Sequence, residues 1–305
     1  MRIKMLVYVV WAFVLALGVQ SCHQPDVLPE AVRYPILFGS SDSRAVATKD
    51  NLKTEGFRVH AYFKGEGAAT FDQKVNYQVD QDIWALENTE YWIPGATYWF
   101  KAFYPKDLAV DITINDGKSQ SYSIKDYDIR TQKDIMVASA DALTVPVDGV
   151  APNTGSVVDL DFQHLLANVV VKIKAEINVT INDVAIKNVS VKGSYDSGQW
   201  SSFESEGNIT MNGIDKALSS ASSEFHDVTN GGFLVFPGEV NGTQQIYIRT
   251  SDKTYDLKLP TTPNQWVAGN RYTYTLIIKQ NEILFDEPTV EVWDEENATG
   301  SVVIK

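Results

Sequence analysis

Cys22 is the single thiol of this 305-residue chain, and its four imidazoles, His23, His60, His164 and His226, are scattered along it. A thiol can attack a carbonyl, bind a metal, form a disulfide or take up an acyl group. With one cysteine, no disulfide can brace the fold. The histidines do not stand at metal-ligand spacing from one another, and no cysteine partner completes a set. His164, in Phe162-Gln-His-Leu-Leu-Ala167, reads as a side chain packed at a strand end. The carboxylates Asp286-Glu287 and Asp294-Glu295-Glu296 read as solvated loop charges, and spacing alone does not make them an acid–base pair. Asp159 and Asp161 flank Leu160 without the remaining carboxylates of a calcium loop. A Gly-x-Ser-x-Gly elbow, a phosphate loop and a dinucleotide fingerprint are all missing from the sequence. The expectation is a protein without catalytic residues, metal or cofactor.

Acylation is the chemistry that the surroundings of Cys22 favour. Arg2 and Lys4 precede an apolar run, Leu6–Val19, which leads into Val19-Gln20-Ser21-Cys22. A basic tip, an apolar stretch and a cleavage zone make a secretory signal, and Val-x-Ser-Cys resembles a bacterial lipobox. The run is shorter than the ~20 residues a helix needs to cross hydrocarbon. Residues 1–21 are therefore expected to be a lipoprotein signal peptide and Cys22 the lipidated residue. Residues 22–33 carry two prolines, Pro25 and Pro29, and no periodicity, as a tether between lipid and body would.

Acidic residues outnumber basic ones, 39 to 26, for a net charge of −13. Loss of the signal peptide removes two of the basic residues and no acidic one. Such a balance argues against nucleic acid, or an anionic membrane, as an electrostatic partner.

From Tyr34 onward the apolar residues recur every second position. Phe57, Val59, Ala61 and Phe63 form one such set; Tyr98, Phe100, Ala102 and Tyr104 a second; Val169, Val171 and Ile173 a third; Tyr272, Tyr274, Leu276 and Ile278 a fourth. These runs are rich in Val, Ile, Thr and Tyr, and turn pairs such as Asp116-Gly117, Asn212-Gly213 and Asn230-Gly231 separate them. Only Ile214–Phe225 reads as a helical turn or two. Residues 147–156 are dense in turn formers, and the run Val157–Ile177 looks like the start of a fresh sheet. The expected fold is all-β, with two tandem β-sandwich domains at residues 34–155 and 156–305. Trp84, Tyr91, Trp92 and Trp99 cluster in sequence and admit two readings, inter-sheet core or exposed stacking platform for a glycan.

An ordered series of segments then points to a family. It runs Ile36-Leu37-Phe38, Ser43-Arg44-Ala45, Gly56-Phe57-x-Val59-x-Ala61, Pro94-Gly95-x-x-Tyr98 and Asp134-Ile135-Met136. It continues with Phe162-x-His164-x-Leu166-Ala167-Asn168-Val169, Phe233-Leu234-Val235-Phe236-Pro237, Trp266-x-Ala268-Gly269-x-x-Tyr272-x-Tyr274 and Val290-x-Val292-Trp293. With the lipobox and the two-domain layout, the chain resembles the FimA/Mfa-like fimbrillins of Bacteroidetes, subunits of type V pili, whose domains are transthyretin-like sandwiches. The resemblance implies export as an outer-membrane lipoprotein and trimming by an arginine-specific protease, with Arg44 matching the cut and Ala45 the new amino terminus. That cut would release Cys22 with its lipid and the strand carrying Ile36, Leu37 and Phe38. A neighbouring subunit's C-terminal strand would refill the vacated groove, and in this chain Val302, Val303 and Ile304 are the candidate donor residues. The implied partners are other pilus subunits, the outer membrane and the protease, with a host or bacterial surface glycan or protein as the adhesion target. Shaft, tip and anchor roles stay open. The rival reading is a surface glycan-binding lipoprotein of a polysaccharide-uptake system, using exposed tryptophans.

Overall fold

The computed structural model describes residues 33–39, 46–117, 119–147, 157–196, 198–201, 203, 206–293 and 302–303. In a pleated chain every second side chain points to one face, so segments with an apolar period of two bury that face against a core. Ten strands come first: β1 (Leu37–Gly39), β2 (Phe57–Lys64), β3 (Ala68–Gln78), β4 (Ile83–Leu86), β5 (Thr97–Tyr104), β6 (Asp111–Asn115), β7 (Ser119–Asp128), β8 (Met136–Thr144), β9 (Val158–Asp159) and β10 (Gln163–His164). Eight of them form one sheet in the order β10-β8-β5-β2-β3-β4-β1-β9. Every pair in it is antiparallel except β1 with β9.

The two outermost strands, β9 and β10, are joined by Leu160-Asp161-Phe162 alone. A flat eight-stranded sheet would hold its edges about 34 Å apart, and that link reaches only about 14 Å. The sheet therefore rolls on itself. Phe38, Phe57, Trp84, Tyr98, Phe100 and Phe162 fill the rolled interior.

Sixteen further strands follow: β11 (Ala167–Ala175), β12 (Val179–Ser190), β13 (Lys192–Asp196), β14 (Gln199–Ser201), β15 (Glu206–Met211), β16 (Lys216–Leu218), β17 (His226–Asp227), β18 (Phe233–Val235), β19 (Gly238–Glu239), β20 (Gln245–Thr250), β21 (Thr254–Lys258), β22 (Gln265–Trp266), β23 (Asn270–Ile278), β24 (Ile283–Phe285), β25 (Thr289–Val292) and β26 (Val302–Val303). One sheet runs β17-β11-β23-β25-β26, with β18 added to β11 and β24 to β23; another runs β15-β12-β20-β21, with β16 added to β12. Val169, Val171 and Ile173 of β11, Tyr274 and Leu276 of β23, Val184 and Ile186 of β12 and Ile246 and Ile248 of β20 belong to one buried cluster. This second core is separate from that of the rolled sheet.

The chain does not keep its halves apart. The β6–β7 hairpin, turning through Asp116 and Gly117 at φ 49° and 60°, leaves the rolled sheet and joins β14-β13-β7-β6. Alternate residues of two strands also serve different cores. Phe100, Ala102 and Met136 lie in the first cluster, while their neighbours Phe103 and Val137 lie in the second. Gln132, from the loop after β7, clasps β18 from the later half of the chain: its side chain donates to the carbonyls of Ile129 and Leu234 at 2.8 and 3.1 Å and accepts from the Leu234 N–H at 2.9 Å.

Three expectations are corrected. The fresh sheet begins at Ala167, because β9 and β10 complete the rolled one. Ile214–Phe225 is not helical; Asp215 takes φ 48° and β16 pairs with β12, Leu218 opposite Val179. A helix instead spans α1 (Val46–Glu55), where the sequence offers no apolar stripe and where tertiary burial of Leu52, fully enclosed in the first core, supplies the stabilisation.

Candidate functional site

β1 is an interior strand of the rolled sheet. On one side Leu37 and Phe38 pair with Ala85 and Trp84 of β4. On the other, Phe38 and Gly39 pair with Val158 and Asp159 of β9. Hydrogen bonds extend the pairing at both ends. The Ile36 N–H donates to Glu90 O at 2.8 Å and the Trp92 N–H to Tyr34 O at 3.0 Å. The Leu160 N–H donates to Gly39 O, also at 3.0 Å. Alternation puts Ile36 and Phe38 inside, 2% and 0% exposed, with Leu37 half-buried between them. The Phe38 ring meets Phe100 and Phe57 edge-on at centroid distances of 5.6 and 6.2 Å. Removing β1 would strip backbone partners from two strands and open an aromatic-lined cleft. Each unpaired buried amide costs about 1–3 kcal/mol, and edges of that kind template the addition of another strand.

Arg44 and Ala45 lie in sequence between β1 and α1. They fall outside the described residues, as do Cys22 and Ile304. Val302 and Val303 form β26, antiparallel to β25, with Val303 opposite Thr289 and Val302 opposite Val290. The structure thus places the two predicted strand segments on different sheets.

The tryptophan cluster divides. Trp84 and Trp92 are 2% and 6% exposed, and Trp92 stands edge-on to Tyr98 at 4.8 Å. Trp99 is half-buried and leans on Tyr62 at 5.5 Å; of the four, only Tyr91 is exposed. The stacking-platform reading is therefore corrected at Trp84 and Trp92, whose size fills the rolled sheet. Their buried indole N–H groups have no hydrogen-bond partner among the described residues.

His164 sits at a strand end, as expected, with one addition that spacing did not show. Its Nδ1 lies 2.6 Å from Asp134 Oδ2, and its ring stacks on Trp293 at 4.0 Å. Glu55, Tyr104, Asp134, His164 and Trp293 help to line a cavity of about 300 Å³. Burial first, then the hydrogen bond to Glu55, raises the Tyr104 hydroxyl above its ordinary range. No group of three or more His, Cys, Asp or Glu suited to a metal ion occurs among the described residues.

Sequence reasoning missed the residues that wall the β1 cleft from afar, Trp84, Val158 and Leu160. Each is an ordinary apolar position in its own segment, and only long-range pairing brings it to β1.

No curated protein matches the chain closely enough to count as a relative. Two solved structures share its fold. A candidate cell adhesion protein from Bacteroides uniformis aligns with TM-score 0.54 and 17% identity over 87% of this chain and 99% of that one. Another from Bacteroides ovatus aligns with TM-score 0.57 and 16% identity over the same shares, 87% and 99%. The tip fimbrial protein Mfa3 from Porphyromonas gingivalis, truncated at its C-terminus, is a looser likeness at TM-score 0.46 and 11% identity over 86% of this chain and 100% of that one. A family model described as fimbrillin-like matches residues 43–293, and on that match the chain belongs to the fimbrillin-like family.

Proposed function

We propose that this protein is a structural pilus subunit, exported as a lipoprotein on Cys22 and built into a fimbrium by strand replacement after trimming at Arg44. Family membership supports the pilus role. The observation that carries the mechanism is β1 itself: an interior strand, buried at Ile36 and Phe38, lying directly before Arg44 in the chain. Cutting between Arg44 and Ala45 frees β1 from everything downstream of it. Once it leaves, apolar surface and backbone groups face water, and a strand from another subunit regains both terms. The tail with Val302, Val303 and Ile304 is the donated segment, and contacts of this open, head-to-tail kind build filaments.

We read the two cores as two sandwich domains, divided near the turn-rich stretch before Val157, with the β6–β7 hairpin and β9–β10 crossing between them. The mature subunit is displayed at the outer membrane or in the fimbrium, where it supports adhesion. Burial of Trp84 and Trp92 takes two of the four aromatic residues from the platform that the glycan-uptake alternative needs.

Treatment with an arginine-specific protease should yield a chain beginning at Ala45 that enters multimers on native electrophoresis when other pilus subunits are present. A chain cut there that stays monomeric in their presence sinks the mechanism. Cys22→Ser should abolish incorporation of labelled palmitate.

A further inference from the structure

The cleft that holds β1 is selective at a position beyond its two buried side chains. A replacement strand in the same register must supply apolar groups where Ile36 and Phe38 stand, because those places are 2% and 0% exposed. The next place belongs to Gly39. A Cβ built there would lie 2.5 Å from Cγ2 of Val157 and 3.5 Å from its Cβ. The shorter distance is well inside contact, and Val157 is a short branched side chain with little room to swing aside. Retreat of the strand is also blocked. Gly39 pairs with Asp159 of β9 and accepts the Leu160 N–H at 3.0 Å, while Val158 and Leu160 are anchored in the core at 3% and 0% exposure.

We infer that this cleft is specific for a strand reading apolar, any residue, large apolar, glycine, laid parallel to β9, and that it therefore does not take residues 297–305 of another copy. The inference rests on the strand-replacement reading above. Residues 297–305 supply no register with the glycine in place. Val302 and Ile304 at the buried places put Lys305 at the glycine's place. Ser301 and Val303 put Ile304 there, and Gly300 and Val302 put Val303 there. Gly300 at the glycine's place would bury Asn297 and Thr299, polar groups without partners. Residues 297–305 of a second copy are thus a poor donor to this cleft.

The test uses the full chain cut with the arginine-specific protease, the protease then inhibited, and fluorescent peptides. One peptide is residues 34–40, Tyr-Pro-Ile-Leu-Phe-Gly-Ser; the second carries Gly39→Val; the third is residues 297–305. The first should bind, and the other two at least about tenfold more weakly, the size expected for overpacking a tight contact. Val157→Ala in the protein should restore most of the affinity for the Gly39→Val peptide and leave that of the first unchanged. Equal binding of the first two peptides, or a tail peptide matching the first, overturns the inference while strand replacement stands. If the first peptide also fails to bind, strand replacement falls and the inference with it. Gly39→Val in the uncut chain gives a check independent of assembly: amide exchange at Ile36–Gly39 should quicken and return toward its original rate with Val157→Ala. Unchanged exchange overturns the inference.

Discussion

The two short strands near the ends of the chain, β1 and β26, are held in opposite ways. β1 has three residues and β26 two, so length hardly separates them. β1 has hydrogen-bonded neighbours on both sides, and Phe38 is wholly enclosed. Among the described residues β26 has one neighbour, β25, which carries the exposed Val292. A strand inside a rolled sheet cannot leave without opening a core, whereas one on an edge leaves at the loss of a few solvated hydrogen bonds. The first arrangement suits a segment released only by cutting the chain, and the second suits one that can be lent.

The comparison can be broken at several points, beginning with the largest effect. Phe38→Ala should lower unfolding stability by about 3–5 kcal/mol in denaturant titration, because the ring leaves a cavity against Phe57 and Phe100. A loss under about 1 kcal/mol would mean that β1 is held no better than an edge strand. Gln132→Ala should lower it by roughly 1–3 kcal/mol, since the Leu234 N–H and C=O lose the side chain that ties β18 to the loop after β7. A variant as stable as the parent in denaturant titration would mean that the clasp is idle.

Acid probes an ion pair beside the second core. The Arg249 guanidinium, 2.5 Å from Asp183, holds that carboxyl below its ordinary 3.8, helped by the Gly213 N–H. The folded chain thus binds this proton less readily than the unfolded one. Its stabilisation is complete above pH ~4 and lost as the pH falls further. Melting temperature measured from pH 6 to 3 should drop less steeply for Asp183→Asn than for the parent, and parallel curves would remove Asp183 from the account. The smallest effect is expected from deleting residues 302–305, within about 0.5 kcal/mol of the parent. A larger loss would erase the contrast with β1.

Much of the strand content was legible in the sequence. Phe57, Val59 and Ala61, and likewise Tyr98, Phe100 and Ala102, alternate in the sequence and are buried in one core. The turn at Asp116-Gly117 follows from the two residue types that accept positive φ most readily. The candidate site was legible in part. Ile36 and Phe38 share a face by simple alternation, but the parallel pairing with β9, more than a hundred residues away in sequence, left no local trace. The tryptophans mark the limit most clearly, because an aromatic side chain suits an exposed platform and a core equally well. Helix α1 escaped notice because Leu52 is its one fully enclosed side chain among those described, too little for a period.

The amino-acid sequence by itself determined where strands and tight turns form, because alternation and positive-φ residues act within a few positions of each other. Tertiary structure alone decided which strands became neighbours. It closed the rolled sheet with β9 and β10, set β1 between β4 and β9, and brought Val157 against Gly39. Pairing is a contest among many compatible edges, and it is settled by how the buried faces pack together, which no single segment contains.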